Sequence, residues 1–190
     1  QNIHLFDSEM NYPMADNHNY IPSVSYVKTW AFEENVVESM EELAEALEMG
    51  GNIKLACDLE MSSAMVISGS VHMNLNGKSV KSEGDAFEVV AGGELVITGN
   101  GVVEAGVNPG GNVAVWANGG TVIIENGSFS VGTDPNGNTN DCLYAKGGTI
   151  VVNGGSFKNS GEYNPSMGGV VVNAHNSIEN SQVIVYGGEF

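Results

Sequence analysis

A repeat of short apolar segments, each introduced by a glycine pair, most restricts how this chain can fold. The strong copies begin at Gly92, Gly119 and Gly147, a fourth has Asn180-Ser181 in place of the pair, and weaker copies begin at Gly51 and Gly69. Gly93, Gly120 and Gly148 are 27 and 28 residues apart, and the other spacings are shorter or longer. Short strands at a variable period indicate a coil of parallel strands, because the connecting loops can lengthen without changing the winding.

Two further apolar segments complete each turn of the coil, which we call a rung. After a glycine turn comes a segment that would stack an interior column of Val103, Phe129, Phe157 and Phe190. Segments around residues 87–90, 113–117, 143–145 and 170–172 would form the third side. We therefore predict an all-β, right-handed parallel β-helix of about six rungs over residues 51–190.

Residues 39–50 predict a helix that caps the first rung. Ser39 and Glu42 form a capping box, and Gly50 is placed to end the helix. The helix followed by the segment from Val71 to Lys78 resembles the entry to the right-handed β-helix of the pectin-lyase-like superfamily. The resemblance implies the fold, which also occurs in phage spikes and fibres and in bacterial surface proteins, but implies little about function.

Charge restricts the classes of partner. The chain has six lysines, no arginine and 23 acidic residues, for a formal charge of −17. Because nucleic-acid affinity comes largely from Lys and Arg contacts to phosphates, we expect neither nucleic acid nor an anionic membrane as a partner. No run of ~18 apolar residues predicts a membrane span, and no leader is visible. We expect Cys57 and Cys142 to be buried and unpaired, about three rungs apart.

An outward column on the first strand of each rung is the first candidate for a functional surface. Strand alternation directs Lys54, His72, Val96, Ile123, Val151 and Ile184 outward. The last four would form an apolar ridge, with neighbours ~4.8 Å apart. We expect the ridge to be a homo-oligomer interface, most simply of three parallel copies. The alternatives are cover by the chain's own loops or N-terminal segment, and simple exposure.

Residues 1–38 carry aromatic side chains among prolines and asparagines, without clear periodicity. The aromatic residues to which we assign the docking role are Tyr12, Tyr20, Tyr26, Trp30 and Phe32. This composition predicts an extended arm that docks onto a larger assembly, and an arm folded back on its own solenoid is the equal alternative.

The sequence predicts no catalytic residue, metal site or cofactor. In the superfamily that the chain resembles, enzymes that cleave by elimination use acidic residues to bind calcium and a basic residue to accept the proton. Hydrolytic members present several aspartates on neighbouring rungs. Neither pattern is present here. Asp58 and Glu60 lie on one face of a predicted edge strand, where charged residues usually serve to solvate the edge. Residues 132–141 alternate oxygen-bearing side chains but lack the glycine and glutamate of an EF-hand loop.

The leading functional hypothesis is a structural or adhesive protein, such as a phage-type virion fibre, spike or decoration protein anchored by its arm. It rests on the arm, the ridge and the absence of a capping sequence after Phe190. The alternatives are an extracellular glycan-binding or glycan-cleaving β-helix and a fragment of a bacterial surface adhesin. The expected location is accordingly the virion, or else the cell surface or the extracellular space.

Overall fold

The computed structural model describes residues 34–106, 112–132, 140–160, 170–175 and 177–190. Within them the chain forms three parallel β-sheets and a single helix, α1 (Met40–Met49). Successive strands pass from one sheet to the next and return to the first, where each pairs in parallel with its equivalent from the preceding rung. The protein is therefore a parallel β-helix, and the predicted fold class is confirmed.

The strands are numbered β1 to β17 in chain order. Sheet 1 contains β1 (Asn35–Val37), β2 (Gly51–Leu55), β5 (Ser70–Asn74), β8 (Glu94–Thr98), β11 (Thr121–Ile124), β14 (Thr149–Val152) and β17 (Gln182–Val185). Sheet 2 contains β3 (Leu59–Met61), β6 (Ser79–Ser82), β9 (Val102–Ala105), β12 (Ser128–Val131) and β15 (Ser156–Asn159). Sheet 3 contains β4 (Met65–Ile67), β7 (Phe87–Val90), β10 (Val113–Asn118), β13 (Asp141–Lys146) and β16 (Val172–Ala174).

Aligned apolar columns fill the interior. In sheet 1 the fully buried columns include Leu95, Val122 and Ile150, and Ile97, Ile124 and Val152. In sheet 2 the rings of Phe129 and Phe157 stack with centroids 5.2 Å apart, and Phe157 and Phe190 stack at 5.0 Å. The predicted interior column of sheet 2 is confirmed for Val103, Phe129 and Phe157, whereas Phe190 stacks on Phe157 but is 58% exposed. Val185 follows Val152 in its column but is 48% exposed, because β17 is an edge strand with a neighbour on one side only.

The glycine pair between sheets 3 and 1 is explained by two different constraints. The first glycine takes a positive φ, +87° at Gly92 and +67° at Gly147, which side chains disfavour. The second lies against the preceding rung, so that a Cβ on Gly148 would be 2.5 Å from the carbonyl oxygen of Gly120. In the fourth copy Asn180 takes the first position with φ +64°, a conformation that asparagine tolerates.

Helix α1 closes the N-terminal end of the core. The Ser39 hydroxyl accepts a hydrogen bond from the Glu42 amide at 3.1 Å, and the Glu42 carboxylate accepts one from the Glu38 amide at 2.6 Å. The helix ends at Gly50, and its inner face buries Leu43, Ala46 and Leu47. The predicted cap is confirmed. Before the helix, β1 adds a strand to sheet 1 within the stretch that the sequence analysis assigns to the arm.

The predicted alignment of the first rung is wrong. His72 pairs with Asn52, whereas Lys54 pairs with Asn74. The outward column that leads to Val96 therefore begins Asn52, His72, and Lys54 lies in the neighbouring column. The reason is that Gly51 pairs with Val71, two residues beyond Gly69, which takes the place of the second glycine of a pair.

Insertions at one corner explain much of the variable period. The connections from sheet 2 to sheet 3 run over 62–64, 83–86, 106–112, 132–140 and 160–171, so they lengthen from rung to rung. The described residues at this corner form a polar ladder. The backbone N–H of Asn112 donates to Asn140 Oδ1 at 2.8 Å, and Asn159 Nδ2 donates to the backbone carbonyl oxygen of Asn140 at 2.6 Å.

Candidate functional site

The outer face of sheet 2 is charged and gives no sign of a binding site. Its central column is Glu60, Lys81, Glu104, Ser130 and Lys158. Lys81 and Glu104 form an ion pair at 3.9 Å, and both side chains are about half exposed. Such exposed pairs contribute little to stability, so this face is best understood as a solvated surface.

The outer face of sheet 1 carries the apolar ridge. Val96, Ile123, Val151 and Ile184 pair in register across β8, β11, β14 and β17, as the sequence alignment predicts. The first three are half-buried, and Ile184 is 37% exposed. Their role as an oligomer interface remains a prediction.

Uncharged polar side chains make up most of the two columns beside the ridge. Thr121, Thr149 and Gln182 follow Glu94 on one side. On the other side Glu125 accepts a hydrogen bond from Asn153 Nδ2 at 2.9 Å. No lysine of the described residues lies on the stretch of this face from β8 to β17. The ridge is therefore an apolar column flanked mainly by uncharged polar side chains.

The outer face of sheet 3 carries an aromatic column that the sequence analysis missed. Trp116 on β10 pairs with Tyr144 on β13, and their ring centroids are 6.0 Å apart. The ring of His175, just after β16, lies 6.2 Å from that of Tyr144. All three side chains are half-buried. The strand alternation that predicts the ridge also directs Trp116 and Tyr144 outward. Trp116, for example, lies between the inward-pointing Val115 and Ala117.

Polar groups with fixed orientation surround the aromatic column. Asn118 Nδ2 donates to Glu88 Oε1 at 2.6 Å, and Asn173 Nδ2 donates to Asp141 Oδ2 at 2.7 Å. Partial burial, together with the negative charge of Asp141, raises the pKa of Tyr144. The phenol therefore remains a neutral hydrogen-bond donor at physiological pH.

Trp116 has an unusual polar environment. Its indole Nε1 is buried, and among the described residues it has no hydrogen-bond partner. The ammonium group of Lys146 lies 6.0 Å from the centre of the ring. A buried donor without an acceptor costs about 1–3 kcal/mol, so native proteins usually satisfy such a group with protein, water or a ligand.

The outer face of sheet 3 is buried where β10 and β13 begin. Ala114 and Cys142 occupy outward positions at the starts of β10 and β13, yet both are fully buried. Burial raises the pKa of the Cys142 thiol to about 12, so it stays protonated and unreactive. Cys57 and Cys142 are both free, and Cys57 is half-buried rather than buried as predicted. On β10 and β13 the half-buried side chains are thus Trp116, Asn118, Tyr144 and Lys146.

Asp58 has a local structural role. Its Oδ1 accepts a hydrogen bond from the Ser79 amide at 2.7 Å at the start of β6. The hydrogen bonds from Ser79 lower the pKa of Asp58. The side chain thereby satisfies a backbone donor at a strand end, and an ionised carboxylate suits that role.

Two other sequence predictions fall largely outside the described residues. The aromatic residues assigned to a docking arm, Tyr12, Tyr20, Tyr26, Trp30 and Phe32, all lie there. So do residues 133–139 of the polar loop, whereas Asp141 at its end accepts a hydrogen bond from the Val170 amide at 3.1 Å. In the described part of the chain no group of three His, Cys, Asp or Glu side chains is placed to hold a metal ion. The helix found there is too short to cross a membrane.

Fold and outer faces together define the chain as a parallel β-helix protein with one apolar and one aromatic face. No family model, no curated protein and no solved structure matches the chain.

Proposed function

We propose that this protein is a structural, adhesive β-helix that associates with copies of itself through the ridge, as virion fibres and spikes do. The observation that carries the proposal is the in-register column of Val96, Ile123, Val151 and Ile184. The proposal includes attachment to a larger assembly through the aromatic N-terminal segment.

Geometry favours a second copy as the occupant of the ridge. The ridge crosses four neighbouring strands in register, so an identical copy offers the same apolar column. Symmetric association then buries equivalent residues from each copy. The borders of Thr121, Thr149 and Gln182 leave few charges to desolvate along one side.

Net charge opposes this association. A formal charge of −17 makes copies repel one another, and salt screens exposed charges with a Debye length of about 8 Å at physiological ionic strength. We therefore expect association to strengthen as salt is raised, the opposite of an interface held by ion pairs.

Light scattering tests the proposal directly. The wild-type chain is expected to have the molar mass of a trimer, and the Ile123→Asp, Val151→Asp double variant that of a folded monomer. The charge-matched control is Ser128→Asp, Ser130→Asp, which adds two carboxylates to the outer face of sheet 2 and is expected to remain trimeric.

Circular dichroism of all three proteins shows that a lower mass does not reflect unfolding. A wild-type protein that is monomeric at every salt concentration would contradict the proposal. Equal loss of association in the ridge variant and the sheet 2 control would also contradict it, because general charge repulsion would then explain the result.

A further inference from the structure

We infer that the outer face of sheet 3 is a binding site for a neutral oligosaccharide, centred on Trp116 and Tyr144. The inference goes beyond self-association and does not depend on it, because the aromatic column and the ridge lie on different sheets. It names the class of ligand to which the protein would adhere and the residues that would bind it.

Stacking is the first argument. A pyranose ring presents a face of C–H groups edged by hydroxyls, so it is bound by aromatic rings bordered by hydrogen-bonding groups. Trp116 and Tyr144 supply two rings at 6.0 Å. Asn173 is the next residue of their column, and the ring of His175 lies beside it, 6.2 Å from that of Tyr144. These spacings are comparable with the length of one sugar unit, so a short glycan running along the coil axis can meet successive rings.

Hydrogen bonding is the second argument. The phenol of Tyr144 and the amides of Asn118 and Asn173 lie on the same face as the rings, and the ammonium group of Lys146 lies over the Trp116 ring. Their partners Glu88 and Asp141 hold the two amides in place, which limits the entropy lost on binding.

Charge selects a neutral ligand. Glu88 and Asp141 border the aromatic column, and Lys146 is the nearby cation that contacts it. The chain as a whole is strongly acidic. A polyuronate would bring further carboxylates to this face and be repelled, whereas a neutral hexose polymer carries no such penalty.

The experiment is titration calorimetry with the wild-type chain. The probes are hexasaccharides of glucose, mannose, galactose and N-acetylglucosamine, with oligogalacturonate as the acidic comparison. We expect at least one neutral hexasaccharide to bind, oligogalacturonate to bind at least tenfold more weakly, and no reducing ends to be released.

Variants locate the site. Trp116→Ala and Tyr144→Ala are each expected to weaken binding at least tenfold, while Trp116→Phe, which keeps a ring, loses less. His72→Ala, an exposed outward position on sheet 1, is the matched control and leaves binding unchanged. Thermal unfolding of each variant confirms that it is folded.

Three results would overturn the inference: no binding to any neutral probe, binding that survives Trp116→Ala in a folded protein, or preferential binding of oligogalacturonate. Since self-association is measured separately by light scattering, failure here leaves the proposed assembly intact. The reverse also holds.

Discussion

Phe129 and Phe157 stack almost parallel in consecutive rungs, with ring centroids 5.2 Å apart and an interplanar angle of 11°. They pair in register on β12 and β15, and both are buried. Phe190 extends the stack beyond Phe157 but is 58% exposed. The three phenylalanine rings of one stack therefore differ greatly in how far they are buried.

This stack predicts two unequal losses of stability. Phe157→Ala removes a buried ring between two others and is expected to lower the free energy of unfolding by about 3–5 kcal/mol. Phe190→Ala removes a half-exposed ring and is expected to cost about 1 kcal/mol. Urea unfolding followed by circular dichroism measures both, and equal losses would show that the stack does not contribute to the core as described.

The two glycines of a pair are expected to differ in how much their replacement lowers the stability of the protein. Gly148→Ala places a Cβ 2.5 Å from the Gly120 carbonyl oxygen, so we expect a loss of about 3 kcal/mol, the upper end for overpacking. Gly92 has open space around its Cβ position but a φ of +87°, so Gly92→Ala is expected to cost about 1 kcal/mol. Gly92→Asn should cost less than Gly92→Ala, as Asn180 at the equivalent position suggests. Thermal unfolding of the three variants tests this order.

Asp85 and Asp58 predict opposite dependences of stability on pH. Burial raises the pKa of Asp85 above 3.8, although its Oδ1 accepts a hydrogen bond from the Val113 amide at 2.6 Å. The folded state then binds the proton more tightly than the unfolded state, so stability falls as pH rises through this raised value. Asp85→Asn keeps an acceptor for Val113 and is expected to stabilise the protein at neutral pH by no more than about 1 kcal/mol, because solvent screens a half-exposed group.

The matched variant is Asp58→Asn. Hydrogen bonds from Ser79 lower the pKa of Asp58 below 3.8, so its contribution is present above that value and is lost as pH falls through the lowered pKa. This variant is expected to be less stable than wild type at neutral pH. For both variants, the difference from wild type in the free energy of unfolding should become smaller in acid. Urea unfolding at neutral pH and below pH 3.8 distinguishes them, and differences of the same sign would contradict the assigned causes.

Local sequence patterns predicted the regular part of the coil well. The glycine pairs and β-branched residues placed β8, β11, β14 and β17 in register, and the Ser39 capping box placed α1. Both signals are local, because backbone conformation and strand alternation act over a few residues.

The first rungs and the aromatic face were harder to predict. Strands β1, β3 and β4 have three residues each, too few to show a period, and they form because a neighbouring strand pairs with them. Trp116 and Tyr144 are 28 residues apart in sequence and become neighbours only through parallel pairing. The alternation of sheet 3 directs them outward, but their distances and the buried Trp116 donor depend on tertiary packing.

Site-directed crosslinking is the most direct test of the proposed assembly. Ile123→Cys places a thiol in the middle of the ridge, and Ser130→Cys places one on the outer face of sheet 2 as the control. The wild-type protein, with its free Cys57 and Cys142, sets the background. Under mild oxidation we predict that Ile123→Cys forms a covalent dimer and Ser130→Cys does not. If Ile123→Cys stays uncrosslinked at concentrations where the wild type associates, the ridge is not where copies of the chain meet.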